Sequence, residues 1–168
     1  GAVLALVASF FFAVPVYVDN DMNRVDDGPA IAVTERAAKL HASLTVVDLH
    51  NDVLLWDRGP MGPQRRGHTD ITRLGRGNVA LQVFSTVTKT PKDQNYDRNS
   101  AATDNITLLA IASRWPTSTY NSLLARALHQ SRKLERTAMV EPERLILVRT
   151  AADLRNALGK LQGLKVHV

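Results

Sequence analysis

Val79-Ala80-Leu81-Gln82-Val83-Phe84-Ser85 constrains the fold more than any other stretch of the chain. A continuous apolar run of this length, bounded by polar loops, suits a strand in a parallel sheet covered on both faces. An earlier run, Leu44-Thr45-Val46-Val47, has the same character and leads into Asp48-Leu49-His50-Asn51-Asp52. Between the two runs lie a Gly-, Pro- and Arg-rich loop at residues 57–69 and a short helical turn around Ile71 to Leu74. Upstream, Thr34 is placed to N-cap a short helix. Downstream, Asp104 caps a helix that Pro116 stops just after Trp115. A second helix is expected from about Ser118 to Met139, with Leu123, Leu124, Ala127, Leu128, Ser131, Leu134 and Ala138 as its inner stripe. Leu145-Ile146-Leu147-Val148 then reads as a third strand, and Thr150 to Asp153 as the opening of a final helix. Strands alternating with helices specify an α/β fold with parallel strands. This is how a barrel or a doubly wound sheet begins, and three strands complete neither.

The first eighteen residues, GAVLALVASFFFAVPVYV, carry no charge. A bilayer core takes roughly 18–20 residues at ~1.5 Å each. The segment reads as an uncleaved N-terminal membrane anchor with the rest of the chain outside; a cleaved signal peptide is its rival. A cleavage site wants small residues where Phe10-Phe11-Phe12 and Val14-Pro15-Val16 stand. Asp19, Asp21, Asp26 and Asp27 follow against a single Arg24, so no positive cluster holds this flank in the cytoplasm. Residues 19–32 read as a linker, and residues 33–168 as the folded domain.

The chain has 168 residues, 45% of them hydrophobic and 22% charged, which is globular rather than disordered composition. It contains no cysteine, which excludes disulfides and thiolate metal sites. The net charge of +5 would matter if it were concentrated. Arg126, Arg132, Lys133 and Arg136 are instead spread along one helix and read as its solvated face, so no nucleic-acid partner is expected.

Side chains two apart on a strand share a face, so His50 and Asp52 project together where the first apolar run stops. Imidazole plus carboxylate is a workable half of a divalent metal site, Zn²⁺ for preference. The competing reading is that the two hydrogen-bond each other or the loop backbone. Asp48 lies two residues deeper on the same face and reads as a packed or supporting residue rather than a third ligand. Gln82, polar in mid-strand, is either a hydrogen-bonded core residue or a lining residue of the site. His68 and Asp70 repeat the His-x-Asp spacing, but in a loop, where hydrogen bonding is the plainer reading.

VVDLHNDVLLWD at 46–57, followed by RRGHTDITRLGRGNVALQVFS at 65–85, resembles the opening of the membrane dipeptidase (renal dipeptidase-type) family of zinc peptidases. DNITLLAIASRW at 104–115 and LILVRTAADLRNAL at 145–158 resemble its bacterial branch. The resemblance runs in order from about residue 30 to residue 160, and the combination is specific although no single piece is. It implies the N-terminal part of a (β/α)8 TIM-type barrel of the metal-dependent hydrolase kind, incomplete in this chain. It implies two zinc ions, dipeptide substrates, a possible homodimer and an extracytoplasmic location on a bacterial membrane. It carries the metal-ligand role onto His50 and Asp52. The family's bridging Glu and two later histidines are expected beyond Val168, and with them the catalytic residues, so this chain alone is expected to be inactive. A non-catalytic, membrane-tethered domain is the alternative. His167 matches no family position.

Overall fold

The computed structural model describes residues 1–26, 28–62 and 66–165, with side chains through residue 160. His167 and the rest of the tail after Lys165 lie outside the described residues. Within them the fold is α/β. Strands β1 (Val46–Asn51) and β2 (Val79–Phe84) pair in parallel as a two-stranded sheet, with Val46 opposite Val79, Asp48 opposite Gln82 and Asn51 opposite Phe84.

Helix α1 (Ala2–Met22) comes first, followed by α2 (Glu35–Ser43), whose first turn is capped by Thr34 Oγ1 accepting from the Ala37 amide at 3.2 Å. The crossover from β1 to β2 contains a single 3-10 turn (Val53–Leu55), the loop, and α3 (Ile71–Arg76). Asp70 caps α3, its Oδ1 accepting from the Arg73 amide at 2.8 Å. Asn78 ends the crossover in the left-handed region at φ 58°. Its Nδ2 donates to the carbonyls of His41 and Leu44 at 2.8 and 2.7 Å, tying the entry of β2 to the entry of β1.

The core is small and lies beside the sheet. Leu55, Trp56, Ile106, Ala110 and Trp115 are buried together, with Val18, Val87, Leu109 and Tyr120 packed around them. Helix α4 (Asn105–Ala112) is capped by Asp104, whose Oδ1 accepts from the Ile106 amide at 3.0 Å. The helix ends before Pro116 is reached, because Arg114 takes the left-handed conformation at φ 57°.

Helix α5 (Leu123–Val140) reverses the expected polarity. Its buried face is Arg126 and Gln130, 1% and 0% exposed, whereas Leu123, Leu124 and Leu128 of the expected inner stripe are 49%, 69% and 42% exposed. The reason is satisfaction of donors. Arg126 Nε donates to the Thr119 carbonyl at 2.6 Å. Nη1 donates to the Thr88 carbonyl and to Asp104 Oδ2 at 2.7 and 2.6 Å. Nη2 donates to Thr107 Oγ1 and to the Tyr120 carbonyl at 2.8 and 2.7 Å. Every N–H of the guanidinium is thereby used. Gln130 clasps Val87, accepting from its amide at 3.1 Å and donating to its carbonyl at 2.9 Å. Arg126 and Lys133 are therefore not solvated-face residues. Lys133 is half-buried and its ammonium donates to the Trp56 carbonyl. Burial pulls its pKa down to about 8.

The third expected strand does not form. Residues 145–148 fold back against the end of α5, where Glu135, Ala138, Met139, Pro142, Leu145 and Arg149 line a hollow of about 510 Å³. Arg149 Nη2 reaches Glu135 Oε1 at 2.6 Å, and the Leu145 amide donates to the Glu141 carbonyl at 3.0 Å. A strand needs a neighbour's ladder, and no strand among the described residues pairs with this segment. Helix α6 (Ala151–Lys165) follows as expected, with Thr150 and Asp153 exchanging hydrogen bonds across its first turn at 3.1 and 2.8 Å.

Helix α1 continues through Met22, past the expected anchor boundary at residue 18, so the first residues of the expected linker are helical. Most of its apolar side chains point outward, Val3 73% exposed, Leu4 75%, Phe12 65% and Tyr17 70%, whereas Pro15 is buried and Val18 packs against the core. It is long and apolar enough to cross a membrane.

Candidate metal centre

Strand β1 delivers its polar residues to one end of the sheet. His50 Nε2 and Asp52 Oδ2 lie 3.1 Å apart. Both are open to solvent, their side chains 72% and 45% exposed. Two donors at ~2.0–2.1 Å from a tetrahedral zinc stand roughly 3.3 Å apart, so this pair fits two corners of such an ion. The same contact serves equally as a direct hydrogen bond between the two side chains.

Asn51, between them in sequence, points the other way and is 6% exposed. Its Oδ1 accepts from the Val53 amide at 3.0 Å, an Asx turn that ends the strand and swings Asp52 round. Its Nδ2 donates to Thr69 Oγ1 at 3.0 Å, pinning the crossover loop to the strand end.

The neighbouring strand supplies a supporting residue that sequence reasoning passed over. Ser85, just past β2, sets its Oγ 3.1 Å from His50 Nδ1. Its amide donates to the Asn51 carbonyl at 2.9 Å. With Nδ1–H donating to the hydroxyl, the Nε2 lone pair faces Asp52 and solvent, which is the tautomer a metal requires. Parallel neighbours end at the same level, and that was the available signal for Ser85.

Asp48 turns its carboxylate to the backbone, Oδ1 accepting from the His50 amide at 3.1 Å. Gln82 Nε2 donates to the carbonyls of Asp48 and Val83 at 3.3 and 3.1 Å, while its Oε1 is buried and meets no donor among the described residues. His68 is exposed, and Asp70 is the buried cap of α3, held to Arg73 at 3.2 Å. Among the described residues no cluster of three or more His, Cys, Asp or Glu side chains could hold a metal.

No curated protein and no solved structure matches the chain. Residues 34–165 match the family described as membrane dipeptidase (peptidase family M19). That match runs from the cap of α2 through both strands and the candidate metal pair to the end of α6: the chain belongs to the membrane dipeptidase family.

Proposed function

We propose that the protein is the opening part of a zinc-dependent dipeptidase, held to a membrane by α1, in which His50 and Asp52 ligate one metal. The full catalytic unit on this reading is a (β/α)8 barrel whose first two strands are β1 and β2. The observation that carries it is the His50–Asp52 pair at 3.1 Å, at the strand end where such barrels place their chemistry. A zinc held by His50 and Asp52 would supply a Lewis acid and a water acidified to a pKa of about 7. The chain's own residues do the positioning. Ser85 orients the imidazole ring and can accept from Nδ1–H in the tautomer that leaves Nε2 free for a metal, Asp48 steadies the His50 amide, and the Asn51 turn aims the Asp52 carboxylate. Two donors fill only half of a tetrahedral site, so hydrolysis requires further ligands from outside the described residues.

The experiment is zinc-dependent hydrolysis of a simple dipeptide by this chain, beside a form extended through the remainder of a barrel, each with and without His50→Ala. Activity in the extended form alone, abolished by the substitution, supports the reading. A folded, zinc-supplied extended form without activity overturns it in favour of a non-catalytic tethered domain.

A further inference from the structure

We propose that α1 is a rigid stalk rather than a loosely tethered anchor. An ion-pair joint centred on Asp19 clamps the helix to the loop following the candidate metal strand, so that a lipid bilayer holding the exposed first half of α1 fixes the orientation of that strand. This rests on the membrane reading of α1 and deepens it.

The partner follows from the helix surface. Only 11% of the apolar window of α1 is buried. Its first half, apolar all round and exposed at residues 1–10, is suited to lipid. Its C-terminal turn is different. Asp19 is 2% exposed, a carboxylate sunk into the domain. Arg58 Nε reaches both of its oxygens at 3.2 and 3.1 Å, Arg66 Nε reaches Oδ2 at 2.7 Å, and Asn23 Nδ2 reaches Oδ1 at 2.8 Å. The Arg58 side chain is 5% exposed. A flexible linker would leave these charges in water. Sunk together, they cannot part without stranding a buried charge.

Gly67 closes the joint. Its amide donates to the Asn23 carbonyl at 3.1 Å, and its φ of 83° is one that L side chains rarely adopt. A Cβ there would collide with the Arg58 guanidinium. Two residues on, Thr69 holds Asn51 between the candidate ligands. The route from Asp19 through Arg58 and Gly67 to Asn51 is thus a chain of packed contacts. A second contact steadies the helix further up: Arg114 donates to the Phe11 carbonyl and lies 4.6 Å over the Phe12 ring. Its aliphatic stem and charged head suit the headgroup level of a bilayer.

The absence of native cysteine allows clean spin labelling. Labels at Leu6→Cys on the stalk and Arg132→Cys on α5 report one distance, measured in vesicles of phosphatidylcholine and phosphatidylglycerol. A single narrow distribution is expected, broadened roughly twofold or more as the joint becomes a flexible linker in Asp19→Asn and Gly67→Ala. A broad distribution in the parent overturns the stalk, provided Trp56 and Trp115 fluorescence shows the domain folded. If both variants unfold, Arg66→Gln, at a side chain 32% exposed, and its combination with Arg58→Gln decide: broadening in either supports the joint, and a narrow peak unchanged in both overturns it. Vesicle flotation separates the premise. A chain that does not float with lipid sinks the membrane reading, and the same distance in detergent micelles still tests the joint.

Discussion

His50 Nε2 faces Asp52 Oδ2 at 3.1 Å, and the opposite ring nitrogen of His50 meets Ser85 Oγ at the same distance. One strand supplies the donor pair and its neighbour supplies the group that orients it. Supporting hydrogen bonds of this kind typically contribute 10–100-fold in metal affinity. Ser85→Ala is therefore expected to weaken zinc binding about 10–100-fold and leave the unfolding midpoint nearly unchanged, since Ser85 lies at the open end of the sheet. Isothermal titration with zinc, beside His50→Ala as the zero-binding reference, checks it. Equal affinity in Ser85→Ala and the parent would leave Ser85 without a role at the site.

Arg126 is the structural counterpart of that site, a buried cation whose partners come from several segments of the chain. Arg126→Met keeps the volume but strands the Asp104 carboxylate and the carbonyls of Thr88, Thr119 and Tyr120. Removing one partner of a buried pair costs about 3–5 kcal/mol. Urea denaturation should show a loss of that size, large enough to unfold a marginal domain at room temperature. A loss within the range of ordinary surface substitutions would show that the network is dispensable.

Much of the local structure was legible because it is local. Thr34 and Asp104 announced their helices, and both apolar runs formed strands, although the sheet is not covered on both faces: Val47 is 46% exposed, Leu49 73% and Val83 43%. Asp52 stands beside His50 as expected, but β1 ends at Asn51, and the Asn51 turn rather than strand period brings it there. The misreadings share one cause, a tertiary partner invisible in a window of sequence. Leu145 to Val148 has strand character, but no strand among the described residues pairs with it, and it lies beside the end of α5, where Arg149 reaches Glu135. Asp19 looked like the first residue of a polar linker and is instead buried by Arg58 and Arg66, 39 and 47 positions away. Ser85 was missed because only strand pairing brings it to His50.

The Asp104–Arg126 contact carries a pH signature. Burial pushes the Asp104 carboxyl upward, but hydrogen bonds from Arg126, Thr107 and the Ile106 amide outweigh it, and the net shift is downward. A depressed carboxylate contributes stability in full above its unfolded pKa of about 3.9, and loses it as pH falls through the lower folded value. Stability should therefore drop with acid below about pH 4. Asp153, whose carboxyl is also lowered, chiefly by its hydrogen bond with Thr150, adds to the same slope. Asp104→Asn should flatten the slope in part, which denaturation midpoints taken across the acid range would show.

Lys133 acts at the other end of the scale, with a slope of the same sign. Desolvation beside the Trp56 carbonyl lowers its ammonium to about 8. Between about pH 8 and ~10.4 the unfolded chain binds more protons than the folded one, so stability should rise with pH across that window. Lys133→Met should remove the rise while keeping the packed stem. A parent and variant with parallel profiles would mean that Lys133 is solvated in solution.

The reversed polarity of α5 makes a prediction opposite to that of its hydrophobic pattern. Leu124 and Leu128 sit at positions that sequence periodicity assigns to a core, and such residues cost about 2–5 kcal/mol when truncated in a packed interior. Here they are 69% and 42% exposed. Leu124→Glu and Leu128→Glu should accordingly change the unfolding free energy by no more than about 0.5 kcal/mol each. An exposed leucine stripe also invites association, so the double substitution should lower light scattering at fixed protein concentration. The contrast with Gln130→Leu discriminates sharply, because that change leaves the Val87 amide and carbonyl unpaired and should destabilise by about 1–3 kcal/mol. The reverse order, tolerant at Gln130 and intolerant at Leu124 and Leu128, would mean that α5 is rotated about its axis in solution.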